Sequence, residues 1–169
     1  MEYLSLYTKE LVPAPGREVR RGERAPEGLY VLSSRALVKH EDGSYLAMQR
    51  APGKTGALQW ELSAGGCAHG GESPEECMIR ELAEETGLAG GTLIPLGCYI
   101  TEDGGGIFAE YLYQTGCPKD SIVLQPEETC AYRWISRDEL IAMQDDPMIT
   151  DGIRRYIKTL AEVSTPSDA

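Results

Sequence analysis

Residues 65–88 read GGCAHGGESPEECMIRELAEETGL and carry the signals for one helix with both of its ends. Ser73 suits the N-cap, the proline after it suits the first helical position, and a glutamate three residues after the cap completes a capping box. Gly87 is typical of the residue that follows a helix C-terminus. The sequence therefore predicts a helix over Pro74–Thr86 that is preceded by a glycine-dense loop.

Three glutamates of this helix, Glu81, Glu84 and Glu85, have the spacing i, i+3 and i+4 and project from one face. Like charges at these spacings destabilise a helix by roughly 0.2–0.5 kcal/mol per pair. A divalent cation would relieve the repulsion, and carboxylate ligands suit Mg²⁺ or Mn²⁺. The simpler alternative is a solvated acidic face. We expect the opposite face to dock on a sheet through Ile79, Leu82, Ala83 and Thr86.

Length and charge narrow the class of protein. A chain of 169 residues corresponds to one domain, and no apolar run is long enough to span a bilayer. The 16 basic and 27 acidic side chains give a net charge of −11, which argues against a nucleic-acid polymer as partner. A small phosphorylated ligand remains compatible with this charge, and a homodimer stays open.

The first residues carry no secretory signal pattern, so we expect a cytoplasmic protein. The five cysteines form no C-x-x-C pair. An odd number without such a pair favours reduced thiols over disulfides or a zinc site. We expect most of these thiols to be packed and inert.

The remaining pattern predicts an α/β fold with a mixed sheet between helices. A short strand over residues 3–8 precedes an irregular basic arm over residues 13–28, and we expect residues 1–28 to pack on the domain formed by residues 29–169. Further strands are predicted over residues 29–39, 45–49, 92–100, 107–114 and 132–135, and a loop after residue 49 leads to residues 60–62. Further helices are predicted over residues 136–143 and 149–163.

Residues 66–88 resemble the Nudix box, G-x5-E-x7-R-E-U-x-E-E-x-G-U with U aliphatic, at every specified position. The resemblance implies a Nudix α/β/α sandwich with a mixed sheet. It also implies a metal-dependent hydrolase, with Mg²⁺ or Mn²⁺ as cofactor, that cleaves the diphosphate bond of a nucleoside diphosphate linked to another group.

The same resemblance assigns roles to residues of the box. Glu81, Glu84 and Glu85 would ligate the metal together with the Gly65 carbonyl, and Glu84 and Glu85 would be catalytic. Glu72 and Arg80 would brace the loop against the helix. Spacing alone allows Arg80 to pair with Glu72 or with Glu84.

Outside the box, the chain is similar to the Nudix branch related to isopentenyl-diphosphate isomerase. In that branch, the residues that match Arg50 and Lys54 hold the diphosphate. The residue that matches Glu128 lies in the site, so we expect Glu128, with Glu127 as second choice, to be a fourth carboxylate or the general base. Arg50 also suits phosphate because a guanidinium binds it through two parallel hydrogen bonds.

Two alternatives to a hydrolase stay open. One is an isomerase, but Gly65 stands where that enzyme has its cysteine. We therefore interpret Cys67 as a loop thiol. We expect His69, in the same loop, to be exposed. The other is a non-catalytic nucleotide sensor, against which the complete set of box acids argues. Residues 101–107, downstream of the box, lack the signature residues that mark Nudix hydrolases of particular substrate classes. Four aromatic side chains could stack on a base, although strand alternation favours core positions for them: Phe108, Tyr111, Tyr113 and Tyr132.

Overall fold

The computed structural model describes residues 2–162, which contain nine strands and three helices. The strands are β1 (Tyr3–Tyr7), β2 (Pro13–Arg20), β3 (Tyr30–His40), β4 (Tyr45–Arg50), β5 (Trp60–Leu62), β6 (Ala64–Cys67), β7 (Thr92–Ile100), β8 (Gly106–Thr115) and β9 (Thr129–Ile135). The helices are α1 (Pro74–Thr86), α2 (Arg137–Ala142) and α3 (Asp151–Glu162), with a 3₁₀ turn at Met143–Asp145.

Strand β3 organises the sheet. Along one edge it pairs in parallel with β8 over its whole pairing register, from Val31 opposite Gly106 to His40 opposite Thr115. Along the other edge it pairs antiparallel with β1, then β6, then β4. Strands β5 and β9 flank β4, and β7 flanks β8. The sheet is therefore mixed, as the sequence predicts.

Helices cover both faces of this sheet. Side chains of β3 alternate between the two faces and so contribute to both cores. Leu32, Ala36 and Val38 pack in one core cluster with Met78 and Leu82 of α1. Leu37 points to the other face, where the second cluster includes α2 and α3. The architecture is the predicted α/β/α sandwich.

Two predicted irregular segments are strands instead. Part of the basic arm forms β2, which pairs with β1 at the edge of the sheet, where proline costs no ladder hydrogen bond. The glycine-dense loop begins with β6, where Gly65 and Gly66 pair with β3. Glycine at these positions reflects close approach to other groups and does not break the strand.

The last helix begins at Asp151, two residues later than predicted. Ile149 instead forms a parallel bridge with Trp60. Ile153, Tyr156 and Ile157 are buried on one face of α3, as expected, and Val163 lies outside the described residues. Within residues 2–162, no helix is both long and apolar enough to cross a membrane.

Candidate active site

Helix α1 has the predicted bounds, and both of its caps are formed. The Ser73 hydroxyl accepts from the Glu76 backbone N–H, and the Glu76 carboxylate accepts from the Ser73 backbone N–H. Gly87 adopts a left-handed conformation with φ 72° and donates its N–H to the Ala83 carbonyl. The caps fix where the helix begins and ends and therefore where its glutamates lie.

The buried face of α1 differs from the predicted one. Ile79 is 53% exposed and Ala83 is also exposed, so only Leu82 and Thr86 of the predicted four are buried. The helix docks through a buried face that includes two of its glutamates: Cys77, Met78, Glu81, Leu82, Glu85 and Thr86. The carboxylates of Glu81 and Glu85 thus lie on the sheet-facing side, each residue 8% exposed.

Arg80 binds both of its predicted partners. Its Nε lies 2.7 Å from Glu72 Oε1, and its Nη1 lies 3.0 Å from Glu84 Oε2. The same guanidinium donates to Glu81 Oε1 at 2.8 Å and to the Cys67 carbonyl at 3.0 Å. One side chain therefore ties the segment before α1 to the acidic face of the helix.

Two glycines of β6 lie close to neighbouring groups, Gly65 to β3 and Gly66 to the Glu81 carboxylate. The Gly65 N–H donates to Glu85 Oε2 at 3.1 Å. A Cβ at Gly65 would lie 2.8 Å from Arg35 Cβ, and a Cβ at Gly66 would overlap the Glu81 carboxylate. Glycine is required at position 65 because the backbone of β3 lies so close, whereas a Cβ at position 66 would have to displace the Glu81 carboxylate.

Burial among like charges opposes ionisation of these carboxylates. Burial is the main cause that raises the pKa of Glu85 to about 8, with further increments from Glu81, Glu61 and Glu128. Burial also raises the pKa of Glu81 and of Glu61, against the opposing effect of Arg80 and Arg50. The site therefore concentrates acids that require a proton or a cation nearby.

Two adjoining cavities border these carboxylates. The first, of about 350 Å³, lies between β3, β8 and α3 and contains Arg50, Lys54, Glu61 and Glu128 in its wall. The second, of about 240 Å³, is lined by the α1 acids and by Arg80. Both walls share Lys54, Gly65, Gly66, Glu85 and Glu128. The two cavities therefore form one groove beside the glutamates of α1.

The two predicted phosphate-binding residues are paired with acids of the same wall. Arg50 forms an ion pair with Glu61 and donates its Nε–H to the Thr55 carbonyl at 2.8 Å. Lys54 forms an ion pair with Glu128. In each ion pair, the basic side chain could bind phosphate and the carboxylate could bind a metal ion.

Glu127 and His69 stand apart from this pairing. Glu127 is exposed and lines neither cavity, whereas Glu128 lines both. His69 is exposed at the rim of the second cavity, as expected. Of the two candidate acids after β8, Glu128 is the one that the fold directs into the groove.

The wall of the first cavity brings Phe108 together with two residues that the sequence did not place at the site, Arg35 and Tyr156. Arg35 lies against the Phe108 ring at 4.7 Å from the ring centre and pairs with Glu110 at 2.5 Å. Tyr156 of α3 lines the same cavity. These residues come from three separate elements, and ordinary strand alternation gives no signal that they meet.

Of the four aromatic side chains considered for stacking, only Phe108 lines the cavity. Tyr111 and Tyr113 are buried in the core, and Tyr132 packs against it, as strand alternation predicts.

The cysteines are less buried than expected. Only Cys77 is fully buried, while Cys98 and Cys130 are exposed. Cys98 lies in a stretch of β7 in which residues 95–98 are all exposed, and Cys130 lies next to the buried first residue of β9. Cys67 lies in β6, with its Sγ 3.4 Å from Ser33 Oγ.

The carboxylates fit a divalent cation in chemistry but are not gathered around one point. Within residues 2–162, no three His, Cys, Asp or Glu side chains converge closely enough to chelate a metal ion. Arg80 draws Glu81 and Glu84 to itself, and the Gly65 N–H holds Glu85. The spacing of the three glutamates places them within one turn of α1.

The sequence also matches known proteins. Residues 29–159 match the model of the NUDIX domain. An uncharacterised Nudix hydrolase of Listeria monocytogenes is 31% identical over 134 residues, which are 76% of this chain and 77% of that protein.

Solved structures share the fold. A crystal structure of a Deinococcus radiodurans protein superposes with a TM-score of 0.74 at 17% identity, covering 94% of this chain and 98% of the other. The NUDIX domain of Shewanella oneidensis NrtR, solved with ADP ribose, superposes with a TM-score of 0.62 at 19% identity. This match covers 80% of this chain and 89% of the other.

Proposed function

The chain belongs to the Nudix hydrolase family, and on that premise we propose that it hydrolyses the diphosphate bond of a nucleoside diphosphate linked to another group, with a divalent cation held by α1. The observation that carries the proposal is the pair of buried carboxylates, Glu81 and Glu85, beside Glu84 at the junction of two cavities. Burying acids of like charge is costly unless a cation compensates them.

The cation would be held by Glu81, Glu84, Glu85 and the Gly65 carbonyl. Oxygen ligands alone favour Mg²⁺ or Mn²⁺ over softer metals. When bound, such an ion polarises a phosphoryl oxygen and lowers the pKa of an attacking water. Glu72 and Arg80 support these ligands by fixing the segment that leads into α1.

The remaining side chains of the groove would bind and orient the substrate. Arg50 and Lys54 would exchange their carboxylate partners for phosphate oxygens. Glu128, once released by Lys54, would accept a proton from water at its carboxylate. The Phe108 end of the first cavity offers an aromatic ring to the organic part of the substrate.

The nucleotide class of substrate is supported by likeness of fold to the Shewanella domain, which binds ADP ribose. No feature of the groove selects one nucleotide. A screen with chromatographic identification of products tests the proposal across nucleotide sugars, deoxynucleoside triphosphates, dinucleoside polyphosphates and prenyl diphosphates.

We expect at least one nucleotide to yield two phosphorylated products, or a shortened nucleotide and phosphate, only when Mg²⁺ or Mn²⁺ is added. Full turnover in excess chelator would contradict the metal requirement. Interconversion of isopentenyl and dimethylallyl diphosphates without loss of phosphate would instead identify an isomerase.

A further inference from the structure

Arg21 lies before the segment that matches the family model, yet it reaches the carboxylate groove. It follows β2 directly and lines the second cavity together with Glu81, Glu84 and Glu85. The family match begins at residue 29. The N-terminal hairpin therefore adds a cation to a site whose acids all come from the family domain.

The position of Arg21 is fixed by its backbone and by the packing of the arm. Its N–H donates to the Glu2 carbonyl at 3.0 Å, at the end of the β1–β2 ladder. Leu4, Leu6 and Val19 of this hairpin are buried in a small cluster against which Cys67 of β6 packs. The hairpin is thus anchored beside the strand that carries Gly65 and Gly66.

Arg21 differs from the other cations in the wall of this cavity. Lys54 is paired with Glu128, and Arg80 is paired with Glu81 and Glu84, all of which line the cavity. The carboxylate partner of Arg21 is Glu2, which does not line it, with Nε–Oε2 at 2.6 Å and Nη2–Oε1 at 2.8 Å. The Arg21 side chain is 53% exposed, so a ligand can reach it.

The two ends of the groove offer different chemistry. The first cavity contains the aromatic rings of Phe108 and Tyr156. Among the described residues that line the second cavity, none is Phe, Tyr or Trp. An organic group therefore has a surface to pack on at the first end. The second end offers four glutamates and three cations, so it would take an anion only beside a bound cation.

We propose that the group linked to the nucleoside diphosphate is itself a phosphate, and that Arg21 binds this terminal phosphate and selects substrates in which it is free. This inference rests on the proposed function. A free terminal phosphate carries up to two negative charges and can replace Glu2 in a two-point bond to the guanidinium. An esterified phosphate carries one charge and a bulky substituent, so it replaces Glu2 less well.

The test compares the binding of two non-hydrolysable probes in Mg²⁺ by calorimetry. One is adenosine 5′-(α,β:β,γ-bismethylene)triphosphate, and the other is its methyl ester at the terminal phosphonate. We expect Arg21→Ala to weaken binding of the free form about three- to tenfold, a value reduced for solvent exposure, and to change binding of the ester little. Arg21→Lys should fall between Arg21→Ala and the wild type, because it keeps the charge but not the fork.

Two further variants separate binding from support of the fold. Arg17→Ala removes another exposed arginine of the same hairpin and should leave the binding of both probes unchanged. Glu2→Gln removes the competing carboxylate and should strengthen binding of the free form. If Arg21 only held the hairpin through Glu2, then Glu2→Gln and Arg21→Ala would weaken binding alike, and that result would overturn the inference.

Equal effects of Arg21→Ala on both probes, or no effect on either, would also overturn it. Binding does not depend on turnover, so the two proposals fail separately. A wild-type protein that cleaves no diphosphate but discriminates the probes through Arg21 contradicts the proposed function alone. A wild-type protein that cleaves a diphosphate without this discrimination contradicts the present inference alone. Failure of the wild type to bind either probe contradicts both.

Discussion

At the scale of single residues, the candidate site depends on backbone positions as much as on acids. Gly66 has no side chain because the Glu81 carboxylate occupies the space that a Cβ would take. Glu81 in turn is held there by Arg80. Any side chain at position 66 must therefore move a proposed metal ligand.

We predict that Gly66→Ala lowers kcat at least about tenfold, because a displaced ligand costs metal affinity and alignment. The carboxylate is the mobile end of a long side chain, so the protein should remain folded, with a small decrease in melting temperature. Steady-state kinetics and thermal unfolding measure the two effects. Gly105→Ala is the matched control, since the nearest atom to its new Cβ would be 3.7 Å away. Unchanged kcat in Gly66→Ala would contradict this role.

Residues of the site could be predicted from the sequence where the helical repeat places them on one face of the same helix. Glu81, Glu84 and Glu85 share a helix face through their spacing alone. Glu61, whose carboxylate pairs with Arg50 in the same wall, comes from a strand 20 residues before Glu81. Arg21 comes from the N-terminal hairpin. Contacts of this kind follow from sheet pairing, which no local pattern specifies.

At the scale of elements, α1 was predictable to the residue because both ends carry cap residues with side-chain or backbone partners. Strands β2 and β6 were not, because glycine and proline normally indicate loops. The sheet tolerates proline at its edge, and it uses glycine where chains approach closely. The docking face of α1 was also mispredicted, since an apolar pattern could not show that two glutamates would be buried with it.

The segment before α1 and the helix itself should be coupled through Arg80. We predict that Arg80→Ala lowers the free energy of unfolding by about 2 kcal/mol, because it leaves partly buried carboxylates without their partner. It should also lower kcat, since Glu81 and Glu84 lose the group that positions them. Urea unfolding and steady-state kinetics give the two values.

Ser73→Ala provides the control for this coupling. It removes the N-cap bond of the same helix and should cost about 1 kcal/mol of stability with little change in kcat. If Arg80→Ala lost stability but kept the wild-type kcat, Arg80 would support the fold without positioning the acids.

At the scale of the whole molecule, stability and the site are linked through protons. Glu85 titrates at a pKa of about 8 in the folded protein, against an ordinary value of 4.5. Between these values the folded state binds more protons than the unfolded state, so stability falls as pH rises. A bound cation would replace the proton and remove this dependence.

We predict that, in chelator, the wild-type free energy of unfolding decreases from pH 5 to pH 8 by at least about 1 kcal/mol more than that of Glu85→Gln. Glu72, whose pKa is lowered, and Glu61 and Glu81, whose pKa values are raised, are present in both proteins, so the comparison subtracts their contributions. Urea titrations at several pH values measure the difference. Parallel pH dependences for the two proteins would show that Glu85 is not buried in the way described.

The most direct measurement of the central claim is the binding of Mn²⁺, followed by the electron paramagnetic resonance signal of the free ion, with hydrolysis assayed on the same samples. We predict that the wild type removes Mn²⁺ from solution, and that Glu84→Gln and Glu85→Gln bind it at least about tenfold more weakly, remain folded and lose activity together. Glu75→Gln, which alters an exposed acid on the same helix, should match the wild type in both respects. Wild-type Mn²⁺ affinity and turnover in Glu85→Gln would contradict the claim that the acids of α1 hold the catalytic cation.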